Sequence, residues 1–292
     1  ALARAIERVL DDDDLAARLR AGGRERAREF DRREMIARLD DLYGGLLPHP
    51  LGTRPLRVAH VITGLEVGGA ELVLARLLEA LDDRSTHRVV SLTTAGPVAE
   101  RIEAAGVEVV ALGMRRDRPS VTALARLVGE LRSWSPDLVQ TWLYHGDALG
   151  GLAGRALRRP VVWNLRMGNI DAAGRRSTNA VARACGTLSR VVPARIVSNS
   201  VAAIEFHQQL GYDARRAVVI PNGFDLERFA PDPSARGWLH DLVGRPSTVT
   251  LVAVVARLDP QKDHEGFLRA LAIVRRQRPD VEAILCGRGC DE

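Results

Sequence analysis

Lysine is almost missing from this chain. Of its 42 cationic residues, Lys262 is the one lysine and the rest are arginine. With heavy use of Ala, Gly and Val, this points to a compositional bias, so the basic balance by itself says little about nucleic acid. Aromatic residues make up 4% of the sequence, which leaves Val, Leu, Ala and Ile to build the core. That favours helices packed on a parallel sheet over an aromatic-rich sandwich. Cysteine is equally scarce: Cys185, Cys286 and Cys290 are too few for a disulfide framework or a four-thiolate zinc site, and no histidine stands at ligand spacing. A reducing cytoplasm is the expected compartment. No run approaches the roughly 18–20 apolar residues of a membrane span, and the opening residues do not read as a signal peptide. The formal charge of +5 comes from arginines scattered along the chain with no interleaved aromatics, which speaks against a nucleic-acid partner. It is compatible with a peripheral attraction to anionic membrane surfaces.

What is present falls into segments. The length, 292 residues, suits about two domains. Residues 1–47 read as helix, turn, helix: Leu2, Ile6, Val9 and Leu10 keep helical spacing, Asp11 to Asp14 suit a helix N-terminus, and Gly22-Gly23 is expected to break or bend the pattern. Asp31 is a candidate cap for a further helix carrying Met35, Ile36, Leu39 and Leu42, stopped by Gly44-Gly45. Residues 48–55, rich in proline, read as a linker. From Leu56 the rhythm alternates. Strands are expected at Arg57–Ile62, His87–Leu92, Val107–Leu112, Leu138–Trp142, Val161–Asn164, Arg195–Ser198 and Ala217–Ile220, with helices at Ala70–Leu81, Val98–Ala105, Val121–Ser133 and Asp147–Ala156. This predicts a doubly wound parallel α/β sheet over 56–216, a connection over 217–247, and a second series over 248–292. That series has strand Thr248–Val255, helix Asp263–Gln277 and strand Val281–Cys286.

Four places carry candidate chemistry. The segment Gly64-Leu65-Glu66-Val67-Gly68-Gly69-Ala70-Glu71 lies between the first strand and its helix, where glycine allows close approach and free N–H groups can hold an anion. It is not the GxGxxG fingerprint, so a nicotinamide cofactor is not supported, and an ordinary turn closing on its helix remains the alternative. His145 follows the strand Leu138–Trp142, and Arg166 follows Val161–Asn164. Both fall at the C-terminal edge, where open α/β sheets bind ligands; a structural histidine and a solvated loop arginine are the plain alternatives. Arg257 and Lys262 end one strand and open one helix, a natural cradle for phosphate with a fork and a point charge.

Taken in order, Gly68-Gly69-Ala70-Glu71, His145, Asn199-Ser200, Pro221-Asn222-Gly223-Phe224-Asp225, Arg257 with Lys262, and Gly287-Arg288-Gly289 make the chain resemble glycosyltransferase family 4, the retaining GT-B group, over residues 56–292. The resemblance implies a first Rossmann-like domain for the acceptor and a second for a nucleotide-sugar. It implies that Arg257 and Lys262 neutralise the donor diphosphate, that Gly68, Gly69, Gly287 and Gly289 approach the donor, and that His145 contacts the transferred sugar. Arg166, Asn199 and Asn222 become candidate acceptor or sugar contacts. Neither a metal nor another cofactor is implied; the acceptor would be a glycan, a lipid-linked sugar or a small molecule.

The chain departs from the family pattern in two respects. The paired-glutamate motif that holds the donor sugar and ribose has no counterpart, and residues 1–47 resemble the family's C-terminal tail. A tail before a head suggests two tandem enzymes cut at both ends, or a permutation, and a chain inactive by itself. A GT-B sugar-nucleotide epimerase and a non-catalytic Rossmann-like binding module are the competing readings.

Overall fold

The structure, a computed structural model, describes residues 1–47, 54–81, 84–114, 121–168 and 176–290. Most of the expected linker 48–55 lies outside the described residues. The chain forms two units, one of Glu29–Asp225 and one combining Ala1–Arg28 with Leu226–Glu292. The helical segment 1–47 is therefore not a body of its own but is divided between them.

Three helices, α1 (Leu2–Asp11), α2 (Asp13–Ala27) and α3 (Arg32–Gly44), precede the first strand. The larger unit then follows the alternating rhythm: β1 (Leu56–Ile62), α4 (Gly69–Glu79), β2 (Ser85–Ser91), α5 (Pro97–Ala104), β3 (Glu108–Ala111), α6 (Val121–Trp134), β4 (Leu138–Trp142), α7 (Leu143–Ala156), β5 (Val161–Leu165), α8 (Arg176–Leu188), β6 (Arg195–Ser198), α9 (Val201–Gln209) and β7 (Ala217–Val219). All seven strands pair in parallel in the order β3-β2-β1-β4-β5-β6-β7. Residues 217–225, expected in a connection, supply the last strand and its turn.

Both faces of the sheet are covered, and the two-residue period of a strand assigns the side chains. On β1, Val58 and Ile62 enter one apolar cluster, while Ala59 and Val61 enter the other. The first cluster also takes Met35, Leu39 and Tyr43, spaced by four residues and so on one face of α3. Asp31 caps that helix by accepting from the Arg33 amide at 2.8 Å. The segment around α3 is pinned to the Pro221–Asp225 turn: Phe224 N–H donates to Phe30 O at 2.8 Å, Arg32 N–H to Phe224 O at 3.0 Å, and Arg32 pairs with Asp225 at 2.9 Å.

Helix α7 lies unusually close to the sheet. A Cβ on Gly151 would fall 2.7 Å from Trp163 Nε1 and from Val192, and one on Gly154 would fall 2.6 Å from Val161. The glycines that weaken α7 as a helix are what let it settle onto β4 and β5.

In the smaller unit α10 (Ala235–Leu242), β8 (Thr250–Val255), α11 (His264–Arg275) and β9 (Val281–Cys286) follow. β8 and β9 form a parallel pair. Ala3, Ile6 and Leu10 of α1 pack with Phe267, Ala270, Leu271 and Val274 of α11 and with Val281. Asp12 caps α2 by accepting from the Leu15 amide at 2.7 Å, as the acidic run suggested. Gly22-Gly23, expected to break the pattern, lies inside α2. Both face open space, and the helical residues on either side carry the pair through at the ordinary propensity cost.

Candidate functional site

The strand order fixes where a ligand can lie in the larger unit. The chain runs outward through β1, β2 and β3, then returns to place β4 on the other side of β1. The crevice at the C-terminal ends of β1 and β4 is thus a topological switch point. The Gly64–Glu71 loop follows β1 and His145 follows β4, so the sheet brings these two predicted elements side by side. Gly69 faces open space, and the Glu71 carboxylate reaches back over Gly68.

α7 begins without a turn. Leu143, its first residue, has φ +66, a left-handed backbone rarely taken by a branched side chain. This abrupt reversal sets His145 in the first helical turn, not in the loop the sequence suggested, and buries it to 8% exposure. Trp142 stands at the N-cap, and its side chain makes no capping hydrogen bond to the first amide groups of α7.

Arg166 extends from the end of β5. It is not a solvated loop arginine: its guanidinium lies 5.1 Å from the centroid of the Trp142 ring, and Nη1 donates to Asn222 Oδ1. Burial lowers its pKa to about 10. Asn222 and Arg166 are thereby brought together, while Asn199 follows β6 at the same edge.

Sequence reasoning passed over the polar groups beneath this edge. Asp147 is fully buried; Thr141 Oγ1 donates to its Oδ1 at 2.5 Å, and Oδ2 has no partner. Burial pushes the Asp147 carboxyl up to about 8, so at neutral pH it is mostly uncharged. The Asn164 amide is buried with neither end hydrogen-bonded. Asp147, Asn164 and Arg166 line one cleft together with Leu143, Tyr144 and His207. These side chains pack closely, leaving no space between them for a water molecule. Tyr144 and His207 settle each other: His207 Nδ1 lies 2.6 Å from the Ala203 carbonyl and must donate to it, leaving Nε2, at 2.9 Å, to accept from the Tyr144 hydroxyl.

A second buried chain runs under Trp142. Indole can only donate, so Trp142 Nε1–H makes His60 Nδ1 an acceptor at 3.3 Å. His60 Nε2–H then donates to His87 Nδ1 at 2.9 Å, and His87 Nε2–H to Ser85 Oγ at 2.7 Å. Every proton is assigned with both imidazoles neutral. Burial holds His87 down to about 4; burial first and the neighbouring His87 second hold His60 well below the usual histidine value. On the same face the Tyr43 hydroxyl donates to Gln140 Oε1.

The predicted donor residues gather separately, at the C-terminal edge of the β8–β9 pair. Leu258 N–H donates to Arg288 O at 2.9 Å and Ala256 N–H to Cys286 O at 2.8 Å, zipping the two loops together. Gly287 is required there because a Cβ would run into the Ala256 carbonyl. Arg257 pairs with Asp259 at 3.0 Å, with its side chain 56% exposed; such a pair contributes little stability and can be exchanged for ligand oxygens. Lys262 closes the short 3₁₀ turn Pro260–Lys262, and Asp263 (φ +49) caps α11 by accepting from the Gly266 amide at 3.0 Å.

A doubly wound parallel sheet followed in sequence by a second βα series is the GT-B arrangement of glycosyltransferases. Comparison with known proteins is more specific: the chain belongs to Glycosyltransferase Family 4, whose profile matches residues 67–228. It is similar to the Anabaena protein Alr3699/HepE, solved in complex with UDP, at 25% identity and a TM-score of 0.66, over 79% of this chain and 60% of that one. A glycosyltransferase from Rickettsia africae ESF-5 shares the fold at 12% identity and a TM-score of 0.55, over 80% of this chain and 68% of that one. Among curated proteins, a GDP-mannose-dependent α-(1-6)-phosphatidylinositol monomannoside mannosyltransferase of Mycolicibacterium smegmatis is 40% identical over 73 residues, 24% of this chain and 18% of the relative. A Corynebacterium glutamicum enzyme named for the monoacylated form of that acceptor is 30% identical over 71 residues, 24% of this chain and 19% of the relative. The matches thus span under a fifth of the curated relatives. No helix among the described residues is long and apolar enough to cross a membrane.

Proposed function

We propose that the protein transfers a sugar from a nucleotide-sugar to an acceptor hydroxyl with retention of anomeric configuration. The observation that carries this reading is the gathering of Arg257, Lys262, Gly287 and Gly289 at one strand edge, in the unit where the family resemblance expects the donor. A departing nucleoside diphosphate gains negative charge as the glycosidic bond breaks, and fixed cations lower that barrier. Arg257 supplies a fork that leaves its exposed carboxylate partner for phosphate oxygens, and Lys262 adds a point charge. By the family resemblance, Gly68 and Gly69 are donor-phosphate contacts and His145 a contact of the transferred sugar. The acceptor lies on the larger unit, at the edge shared by His145, Arg166, Asn199 and Asn222.

Two relatives are named for GDP-mannose and phosphatidylinositol mannoside acceptors, and HepE was also solved with UDP-glucose. These names support a nucleoside-diphosphate sugar and a glycan or lipid-linked acceptor. The test is incubation of the full-length natural protein with UDP-glucose and with GDP-mannose, with the anomeric configuration of the product read by NMR. Product of the donor's own configuration is expected. An inverted linkage would refute retention, and hydrolysis or epimerisation without transfer would refute the transferase reading.

A further inference from the structure

We infer that His60 is a positioning residue for sugar transfer: it fixes the Trp142 indole, and through it the start of α7 that carries His145. The inference rests on the glycosyltransferase reading above and adds to its site a buried side chain that acts only through its neighbours.

Trp142 is the junction. It is the last residue of β4 and the residue before α7, with no loop between them. The reversal falls on Leu143 at φ +66, a conformation that persists only where its surroundings over-determine it. His145 stands in the first turn that follows, so the backbone passes any rotation of Trp142 on to it. The Arg166 guanidinium lies against the same ring. Two of the predicted site residues thus depend on where one fully buried indole sits.

That indole is fixed from below. Ser85, His87, His60 and Trp142 form one hydrogen-bonded chain, with the two imidazoles stacked at 5.2 Å and 19°. Ser85 lies opposite Leu56 and Trp142 opposite Ile62. The chain therefore climbs the whole of β1 while crossing from β2 to β4, and it ends at the edge where the site lies.

Stability alone does not call for histidine here. Val58 and Ile62, the neighbours of His60 on the same face of β1, are apolar core. A buried hydrogen-bonded pair can be exchanged for apolar groups of like shape at nearly no cost. What the hydrogen bond adds is direction. Indole can only donate, and of the two flipped positions of its ring only one aims Nε1–H at His60. Burial keeps both imidazoles neutral, so His60 Nδ1 retains the lone pair that receives it.

The test uses the full-length natural protein. Long-range ¹⁵N–¹H NMR should show His60 protonated at Nε2 alone, and the Trp142 indole signal should move upfield in His60→Leu, which removes the acceptor. In transfer assays with UDP-glucose and GDP-mannose, His60→Leu should lower kcat about tenfold to a hundredfold. Calorimetric affinity for UDP and GDP should hold, because Arg257 and Lys262 belong to the other unit. His60→Asn, whose Oδ1 can take the place of Nδ1, should restore most of kcat. Thermal melting confirms that each variant is folded at the assay temperature. Should His60→Leu not fold, Trp142→Phe removes the same hydrogen bond but keeps an aromatic ring, and should lower kcat alike. A His60 protonated at Nδ1 overturns the claim, as does an unchanged kcat in His60→Leu or, failing that, in Trp142→Phe. Equal losses in His60→Leu and His60→Asn, or a fall in nucleotide affinity to match that in kcat, reduce His60 to a packing residue and overturn it too. A wild type that transfers from neither donor instead refutes the glycosyltransferase reading on which the claim rests.

Discussion

The His60–His87 pair makes stability depend on pH in a way that can be isolated. Both imidazoles are neutral in the folded protein, and His87 is held down to about 4 from an ordinary 6.5. Below pH 6.5 the unfolded chain takes up a proton that folded His87 refuses, so its contribution is complete above about 6.5 and is lost as pH falls towards 4. Linkage gives about 2 kcal/mol lost through His87 between pH 7.5 and 5, and His60 acts in the same direction. Asp147 acts in the opposite direction. Its folded pKa is raised, to about 8, so its burial penalty is relieved as pH falls and masks the loss through His87. The wild-type curve alone is therefore not diagnostic; a difference is. In His87→Gln the amide can accept from His60 and donate to Ser85, but it cannot titrate. Urea unfolding followed by tryptophan fluorescence suits the measurement, since Trp134, Trp142 and Trp163 lie in the larger unit. The stability gap between wild type and His87→Gln should close by about 2 kcal/mol from pH 7.5 to 5. A gap constant across that range would show that His87 titrates normally in the folded state and that the relay is wrongly assigned.

Further outcomes follow from the same structure. Asp147→Asn should stabilise the protein by about 1–3 kcal/mol at pH 8.5, with the gain shrinking towards pH 4; urea midpoints across pH check this. Gly151→Ala should destabilise by about 1–3 kcal/mol through overpacking against Trp163 and Val192, read as a lower urea midpoint with an unchanged slope. In the full-length natural protein, Arg257→Ala or Lys262→Ala should cost about 2–4 kcal/mol of transition-state stabilisation; unchanged kcat/KM in both variants would remove the diphosphate role.

The sheet was legible because its strands are short apolar runs separated by helical spacing. Leu138–Trp142, Arg195–Ser198 and Val281–Cys286 match residue for residue, and the other boundaries shift by one or two. The start of α7 was not legible. Trp142 gives no capping signal, Leu143 takes a conformation that no residue type advertises, and the glycines at 150, 151 and 154 lower the helical signal. α8, α9 and α10 also escaped sequence reasoning; α9 is short and α10 sits in a stretch rich in turn residues. The predicted site residues were read from strand ends, a position that topology explains. The groups beneath them depend on contacts that no local pattern reveals: Tyr43 and Gln140 are 97 residues apart, and Arg166 reaches Asn222 across 56. A histidine in an apolar strand looks unremarkable until its neighbour strand supplies a second one, as His87 does for His60.

The pinning of Phe30–Arg32 to Phe224 and Asp225 has a topological meaning. The larger unit begins and ends at neighbouring points, so the chain treats it as a guest inserted into a host whose own sequence lies on either side. Insertion of this kind is tolerated when the guest's termini meet. A piece cut at residues 29 and 225 keeps the strap and all seven strands. A piece cut at Leu56, where the alternating pattern starts, strips Met35, Leu39 and Tyr43 from the core and leaves Gln140 without its tyrosine. The smallest independently folding fragment therefore reaches back past the first strand to a helix that the sequence places outside the domain.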